Sequence, residues 1–311
     1  MDDRSSFCAA GGKEENILLQ GTGGDAVTTG YRVFPGISLF YHDIHTQKCV
    51  VGSAMPATVF EIHHCREGRM ECQAGEAFFY LSPGDLSVAC RPLMGQEAYF
   101  PLRHYHGITV TVDTAVAPRC LSCLLEDVRV DPALLAGKFC YGGEGYIARS
   151  DARIAHIFSE LYSVPEEIRM GYFKIKVLEL LLFLSCMDIG NSETQAHLLS
   201  RTKVALAKEV AQYLTGRMNE RVTLDTLALV FHVSPTQIKN SFREVYGVSV
   251  YSYIRTQKMQ AAALRLRHTD ETVLAVAGDF GYDNASKFAK AFSDVMGMTP
   301  TEYRRCHAQE A

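Results

Sequence analysis

The chain has 311 residues, of which 47% are hydrophobic and 21% are charged, and its formal net charge is -4. This length and apolar content allow a substantial core and predict two or three domains. The most apolar run, VLELLLFLSCM, contains a glutamate and is about half as long as the roughly 20 residues that a membrane-spanning helix needs. The acidic N-terminus lacks an apolar signal core, so we expect a cytoplasmic protein without a membrane partner.

Ten cysteines are scattered along the chain without a disulfide framework. In a chain of this size the pattern predicts free thiols in a reducing compartment. Cys120 and Cys123 form a Cys-x-x-Cys pair, but no second pair has comparable spacing, so a structural zinc site is not predicted.

The N-terminal part of the chain predicts strands. We expect residues 1–30 to form a flexible arm and residues 31–187 to form one domain. Short segments rich in aromatic and β-branched residues lie within that domain: GISLFYHDI, TVFEIHHC, RMECQA, EAFFYLS, LSVACRP, EAYFPL and HGITVTVD. Their spacing of about ten residues, with Gly and Pro turns between them, favours an antiparallel sandwich or barrel.

Histidines occur in pairs in this region. His63 and His64 are adjacent, and His104 and His106 flank a tyrosine. Side chains two residues apart on a strand point the same way, so His104 and His106 are expected to share a face. A metal needs three or four converging ligands, whereas the sequence shows only pairs without a completing glutamate. We therefore predict no metal and no cofactor, and leave open a metal-dependent enzyme as the alternative.

Two helices are predicted after the strands. SDARIAHIFSELYSV begins with Ser150 or Asp151 as a cap, and PEEIRMGYFKIKVLELLLFLSCM begins with Pro165 and two glutamates. Together they predict a helical hairpin packed on the sheet. The apolar pattern leaves open whether these helices only complete the core or also join two protomers. The polar segment 188–202 is predicted to be an interdomain linker.

The last third of the chain differs in charge from the rest. Residues 1–200 carry 16 basic and 24 acidic side chains, whereas residues 201–311 carry 15 and 11. A basic region attached to an acidic body indicates that the C-terminal third meets a polyanion.

An internal repeat occupies this basic region. FREVYGVSVYSYIR, from Phe242, and FSDVMGMTPTEYRR, from Phe292, share Phe, Val, Gly and Tyr at an offset of 50 residues. Each copy predicts a helix-turn-helix, with Ala228 or Ala277 at the helix contact and His232 or Gly281 at the turn. The predicted buried faces of the second helices are Ile238, Phe242 and Val245 in one copy and Phe288, Phe292 and Val295 in the other.

The whole of residues 203–311 resembles the paired helix-turn-helix domain of AraC/XylS transcriptional regulators. FGYDNASKFAKAFSDVMGMTPTEYRR matches the C-terminal signature of that family, and DNASKF is similar to its siderophore-responsive subgroup. The resemblance implies an α+β chain of two domains: a cupin-like N-terminal β-barrel with a helical hairpin, and an all-α C-terminal domain. A long helix between the two units, SVYSYIRTQKMQAAALRLR, would set the recognition helices into successive major grooves roughly 34 Å apart.

The resemblance also implies site residues and partners. For DNA binding the candidates are Thr236, Gln237, Lys239, Asn240, Arg243, Asn284, Ser286, Lys287 and Lys290. For a ligand in the N-terminal domain they are Phe60, Ile62, His64, Tyr80, His104 and His106. The expected function is a DNA-binding regulator, an activator controlled by a small molecule such as an iron-siderophore chelate. RNA polymerase and a second copy of the chain are the other expected partners, and no catalytic residue is predicted.

Overall fold

The computed structural model divides the chain into two compact units, Met1–Leu199 and Ser200–Ala311. It describes residues 15–18, 25–50, 56–90, 97–118, 128, 130–140, 146–149, 152–189 and 198–307. The first unit is rich in sheet and the second is helical, so the chain is of the α+β class. Among the helices in these ranges, none is long and apolar enough to cross a membrane.

Strands dominate the first unit. They are β1 (Glu15–Leu18), β2 (Ala26–Phe34), β3 (Ile37–Ile44), β4 (Lys48–Val50), β5 (Val59–Gly68), β6 (Met70–Ala74), β7 (Ala77–Leu81), β8 (Leu86–Ala89), β9 (Glu97–Tyr99), β10 (Tyr105–Asp113) and β11 (Tyr146–Ala148). A seven-stranded antiparallel sheet has the order β1-β2-β3-β10-β5-β8-β11, while β4 pairs with β9 and β6 with β7. Each of the seven segments predicted to be strands overlaps one of these strands, although β5 ends three residues later and β10 begins one residue earlier than predicted.

The expectation of a flexible arm over residues 1–30 is wrong for two segments. β1 pairs with β2, and β2 pairs with β3 across a turn at Pro35 and Gly36. Gly36 has φ +68°, and a Cβ atom there would lie 2.7 Å from the backbone nitrogen of Ala117. The segment AVTTGYRVF was not among the predicted strands, although it contains six aromatic or β-branched residues and most of its alternate residues are buried.

The seven-stranded sheet has an apolar cluster on each face. Along β5, Phe60 and Ile62 belong to a core that also contains residues of the helices that follow; we call this the helix-side core. Cys65 belongs to the other cluster, which includes residues of β4, β6, β7 and β9; we call this the strand-side core. Strand alternation thus buries both faces of the sheet.

Two helices follow the last strand of the first unit, as predicted, and another lies between β10 and β11. They are α1 (Pro132–Phe139), α2 (Ala152–Leu161) and α3 (Arg169–Cys186). Pro165 precedes a 3₁₀ turn at Glu166–Ile168, so α3 begins four residues after the predicted start. The sequence analysis missed α1, although Asp131 caps it by accepting a hydrogen bond from Ala133 N–H at 2.8 Å.

The expectation of free thiols is wrong for one pair of cysteines. Cys90, after β8, and Cys140, at the end of α1, form a disulfide with a Cα–Cα distance of 5.6 Å. They lie 50 residues apart, so spacing alone could not pair them. Among the described cysteines, Cys49, Cys65, Cys72, Cys186 and Cys306 are free. The Cys120 and Cys123 pair lies outside the described residues.

The second unit consists of seven helices in its described part. They are α4 (Arg201–Thr215), α5 (Leu224–Phe231), α6 (Pro235–Tyr246), α7 (Val250–His268), α8 (Val273–Asp279), α9 (Ala285–Met296) and α10 (Pro300–His307). Helices α5 and α6 form one helix-turn-helix unit, and α8 and α9 form the other. Ser200 caps α4, so the last two residues of the predicted linker are already helical.

The two helix-turn-helix units turn in the same way. His232 and Gly281 adopt left-handed backbone conformations, with φ of 54° and 76°. The amide of the following residue then donates a hydrogen bond to an alanine carbonyl five positions earlier: Val233 to Ala228 at 3.1 Å, and Tyr282 to Ala277 at 3.0 Å. This bond closes the end of the first helix and directs the chain into the second.

Aromatic side chains pack under the second helices. Phe242, Phe288 and Phe292 have no exposed surface, as predicted, and Ile238 and Val245 are also buried. The prediction for Val295 is only partly right, because this residue is half-buried at the edge of the core around Phe292.

The C-terminal signature is largely structural. Thr299 and Glu302 form a capping box on α10: the Glu302 carboxylate accepts from Thr299 N–H at 2.9 Å, and Glu302 N–H donates to the Thr299 hydroxyl at 3.3 Å. Tyr303 packs edge-on against Phe292, with ring centroids 5.6 Å apart. Arg304 donates hydrogen bonds to the carbonyl of Leu266, in the last turn of α7, and to that of Glu271, which follows this helix.

Two glycines of the second unit provide a matched test of this backbone geometry. Gly297 ends α9 with φ +76°, whereas Gly278 lies inside α8, and a Cβ atom at either position would meet no atom within 4 Å. We expect Gly297→Ala to lower the free energy of unfolding by about 1–2 kcal/mol, because left-handed backbone strains any side chain. Gly278→Ala should raise it by about 0.5–1 kcal/mol, because alanine favours helix. Urea denaturation measures both, and equal effects would contradict the assigned turn.

Candidate nucleic-acid interface

Helix α6 presents the first set of candidate DNA-binding side chains. Ser234 caps the helix by accepting a hydrogen bond from Gln237 N–H at 3.1 Å, and Pro235 occupies the first turn, where no amide donor is needed. Because Ile238 and Phe242 anchor one side of the helix in the core, the opposite side faces solvent. The exposed candidates are Thr236, Gln237, Lys239, Asn240 and Arg243.

Helix α9 presents the second set. Asn284 caps it, and the side-chain oxygen accepts hydrogen bonds from the amides of Ser286 and Lys287 at 2.8 and 3.1 Å. That oxygen is therefore engaged within the protein, and the amide nitrogen of Asn284 is the group left to contact another molecule. Ser286, Lys287 and Lys290 are exposed.

The cations of the second unit fall into two groups. Several away from α6 and α9 are neutralised: Lys203 pairs with Glu244 at 2.9 Å, and Arg265 pairs with Glu271 at 3.0 Å and with Asp279 at 2.6 Å.

The cations of the two recognition helices differ from these. Within the described part of the chain, no carboxylate lies within ion-pairing distance of Lys239, Arg243, Lys287 or Lys290. Arg201 and Arg221, which lie outside these two helices, likewise have no carboxylate within ion-pairing distance in the described part of the chain. Unneutralised cations along the exposed faces of the two helices form a surface suited to phosphates.

Three of the six candidate ligand-binding residues are fully enclosed. Phe60 and Ile62 are 1% and 0% exposed and lie in the helix-side core. Tyr80 is also buried, and its hydroxyl donates a hydrogen bond to the Glu71 carboxylate at 2.6 Å. Each of these side chains is already packed or hydrogen-bonded within the protein.

His64 is the candidate that borders a cavity. The cavity has a volume of about 350 Å³ and is lined by His64, Cys65, Arg66, Gly84, Ala155, Ser159, Tyr162 and Ser163. The imidazole stacks on Phe158 with centroids 4.1 Å apart, and its Nδ1 lies 3.4 Å from the Tyr162 hydroxyl. Among the described residues its Nε2 has no hydrogen-bond partner. Burial lowers the pKa of His64 to about 4, so the ring is neutral at neutral pH.

His104 and His106 make separate contacts. The Nδ1 atom of His104 lies 3.3 Å from the carbonyl oxygen of Leu102. His106 instead approaches Asp43 on the neighbouring strand, with Nε2 3.3 Å from Oδ1. Asp43 and His45 were not singled out in the sequence, because their partner lies some 60 positions away in the chain and only strand pairing brings it close.

A buried polar chain crosses the seven-stranded sheet and was also missed. His42 lies between the hydroxyls of Thr28 and Thr109, at 3.0 and 2.8 Å, and Thr109 Oγ1 lies 3.0 Å from His63 Nδ1. His63 Nε2 is in turn 3.1 Å from Glu61. Burial, helped by His63, lowers the pKa of His42 to about 4. In the sequence, this chain could have been recognised from polar residues at alternate positions of otherwise apolar strands.

Comparison with known proteins gives matches to the second unit. Residues 227–306 match the family model described as a helix-turn-helix domain. The HTH-type transcriptional regulator YdiP of Escherichia coli (strain K12) is 30% identical over 112 residues, 35% of this chain and 37% of YdiP. The Transposon Tn10 TetD protein of Escherichia coli is 30% identical over 98 residues, 32% of this chain and 71% of TetD. The bifunctional transcriptional activator/DNA repair enzyme AdaA of Bacillus subtilis (strain 168) is 28% identical over 101 residues, 32% of this chain and 48% of AdaA.

Two lysines of the second unit test the sorting of cations. We expect Lys290→Ala to reduce the slope of log affinity against log salt by about 1 on duplex DNA, because one phosphate contact is lost. Lys203→Ala should leave the slope unchanged, since its ammonium is held by Glu244. Fluorescence anisotropy across a salt series measures both slopes. The same slope change in the two variants would refute a special role for α9.

The low pKa of His64 predicts a pH dependence of stability. A histidine whose folded pKa lies below its unfolded value stabilises the protein while it stays neutral, and this contribution is lost as pH falls. From pH 6.5 down to about 4 we expect a loss of up to about 3 kcal/mol from this residue.

Urea denaturation at a series of pH values checks this expectation. The loss should be smaller in His64→Gln and unchanged in the control His156→Gln, which alters an exposed histidine on α2. If wild type and His64→Gln weaken equally on acidification, the burial of a neutral His64 is contradicted.

Proposed function

We propose that this chain, which belongs to the AraC family of DNA-binding transcriptional regulators, activates transcription when a small molecule binds to its N-terminal unit. The family membership rests on the match of residues 227–306 and on the similarity to HTH-type regulators. DNA binding follows from that membership. The ligand response and the direction of regulation are the parts that we propose.

The observation that carries the DNA-binding mechanism is the pair of capped helices with unneutralised cations. We propose that α6 and α9 each enter a major groove, in successive turns of the duplex roughly 34 Å apart. Lysine and arginine side chains would hold the phosphates, and Thr236, Asn240 and Ser286 would reach base edges. Asn284 would contribute mainly by capping α9.

The two helices offer different groups at equivalent positions. With the offset of 50 residues, Thr236 corresponds to Ser286, so a hydroxyl is kept, whereas Asn240 corresponds to Lys290. An asparagine favours adenine and a lysine favours guanine or phosphate. We therefore propose that one chain binds a site whose two halves differ in sequence.

For the small molecule we propose the cavity beside His64. A volume of about 350 Å³ suits a small organic compound, and the wall offers an imidazole, a phenol and two serine hydroxyls for hydrogen bonds. An iron-siderophore chelate fits less well, because such chelates are larger than this cavity. Binding would change DNA affinity only to the extent that the compound prefers one conformation of the protein.

The remaining parts of the proposal concern the partners of the chain and whether it activates or represses transcription. AdaA, a relative of the DNA-binding region, is named as a transcriptional activator, which supports activation and contact with RNA polymerase. We propose a homodimer joined through the first unit, and a cytoplasmic location. A cupin-like barrel remains the proposed architecture of that unit. We propose no catalytic role for His104 and His106, because they do not meet at one site.

Selection from a random duplex library tests the recognition step. The full chain should enrich a defined sequence, and Asn240→Ala should weaken binding to it by about 1–3 kcal/mol while leaving binding to unrelated DNA unchanged. Lys203→Ala, which alters a paired lysine of α4, serves as the control. Failure to enrich any sequence, or a uniform loss on all DNA in Asn240→Ala, would contradict base contact by α6.

A further inference from the structure

Three metal-ligating side chains converge at one end of β3 and β10. Asp43 lies near the end of β3, His45 follows that strand, and His106 is the second residue of β10. Antiparallel pairing places His106 directly opposite Asp43. The backbone of His45 is held by a hydrogen bond from its N–H to the carbonyl of Asp25 at 2.8 Å. The fold, rather than flexible loops, brings the three residues together.

The ligand atoms point at a common position. Asp43 Oδ1 is 2.9 Å from His45 Nε2 and 3.3 Å from His106 Nε2. The two imidazole rings stand nearly perpendicular, with centroids 5.3 Å apart. All three ligand atoms lie within 4.8 Å of one another. A zinc ion with bonds of about 2.0–2.2 Å brings its ligand atoms to similar mutual distances.

From this geometry we propose that Asp43, His45 and His106 bind a divalent first-row transition metal, with zinc as the reference ion. Two imidazole nitrogens and one carboxylate oxygen suit zinc, nickel, cobalt or iron(II) and disfavour magnesium and calcium, which prefer oxygen ligands alone. On binding, each imidazole coordinates the metal through Nε2 and carries its proton on Nδ1. The direct contacts of the two Nε2 atoms with Asp43 Oδ1 are replaced by bonds to the metal, which releases bound water molecules to the solvent.

The site is accessible to solvent. Glu67 lies opposite His106 on β5, the other neighbour of β10, and its carboxylate is paired with Arg66 at 3.4 Å. The side chains of Asp43 and His45 are more than half exposed and that of His106 is 34% exposed. Three protein ligands leave at least one coordination position for water or for a donor atom of another molecule. The site is therefore open and exchangeable rather than structural.

The proposal does not depend on DNA binding. The metal would tie β3 to β10, two central strands of the seven-stranded sheet, and so stabilise the first unit in proportion to its occupancy. It differs from the sequence-based hypothesis, in which His104 and His106 were the candidate pair. Here His104 has no part.

Zinc chloride and magnesium chloride are the probes for the test, added to the full chain after treatment with a chelator. Isothermal titration should show one zinc site that is lost, or weakened by roughly 100-fold or more, in His106→Ala and in Asp43→Asn. His104→Ala, two residues away, should bind zinc as the wild type does. Magnesium should not bind at this site. Thermal melts should show zinc stabilising the wild type and His104→Ala but not the other two variants.

Any zinc binding by the free cysteines would be common to all variants, so the comparison between variants decides the outcome. Equal zinc binding by the wild type, His106→Ala and Asp43→Asn would overturn the proposal and leave the three residues as an ion-pair cluster. Equal weakening by His104→Ala and His106→Ala would also overturn it. Because Asp43→Asn changes an exposed side chain conservatively, it keeps the test valid even if His106→Ala fails to fold.

Discussion

The second unit depends on a left-handed turn that occurs twice. At His232 and Gly281 the backbone enters a conformation that L side chains rarely adopt, and in each case an alanine carbonyl accepts the closing hydrogen bond. This turn fixes the direction of the second helix, so the buried phenylalanines of α6 and α9 reach the core. The polar face of each helix is outward for the same reason. Histidine in place of glycine at position 232 makes the first turn the more strained of the two.

Ion pairs and hydrogen bonds within the protein distinguish two groups of basic side chains in the second unit. Arg265 and Arg304 lie in the region that resembles the regulator family, yet both have partners within the protein. Arg265 pairs with carboxylates, and Arg304 donates hydrogen bonds to backbone carbonyls. Lys239 and Lys290 lie on helices held rigidly by their buried faces and remain available. Sequence shows only that both kinds of residue are basic. Partner geometry assigns the first pair to holding helices together, and we propose that the second pair contacts phosphates.

The sequence predicted the helical unit better than the sheet unit, for a physical reason. Repeated caps, a fixed turn and 3.6-residue periodicity act locally, so α5 to α9 could be placed from neighbouring residues. Most strands were found by their composition, but β2 was missed because its first half lies in the segment that we expected to form a flexible arm. Among the ligand-site candidates, Phe60 and Ile62 lie in the packed core. His42, Asp43 and His45, which were not candidates, gained partners through strand pairing. Those contacts join residues far apart in the chain, which local pattern cannot supply.

Engagement of DNA by both helix-turn-helix units is the central claim, and hydroxyl-radical footprinting tests it most directly. On a duplex selected by the full chain, we expect two protected segments separated by about one helical turn, roughly 34 Å. Reversing the charge of α9 with Lys287→Glu and Lys290→Glu should remove one protected segment and leave the other. A single protected segment with the wild type, or loss of both segments together in the variant while it remains folded, would contradict independent contact by α6 and α9.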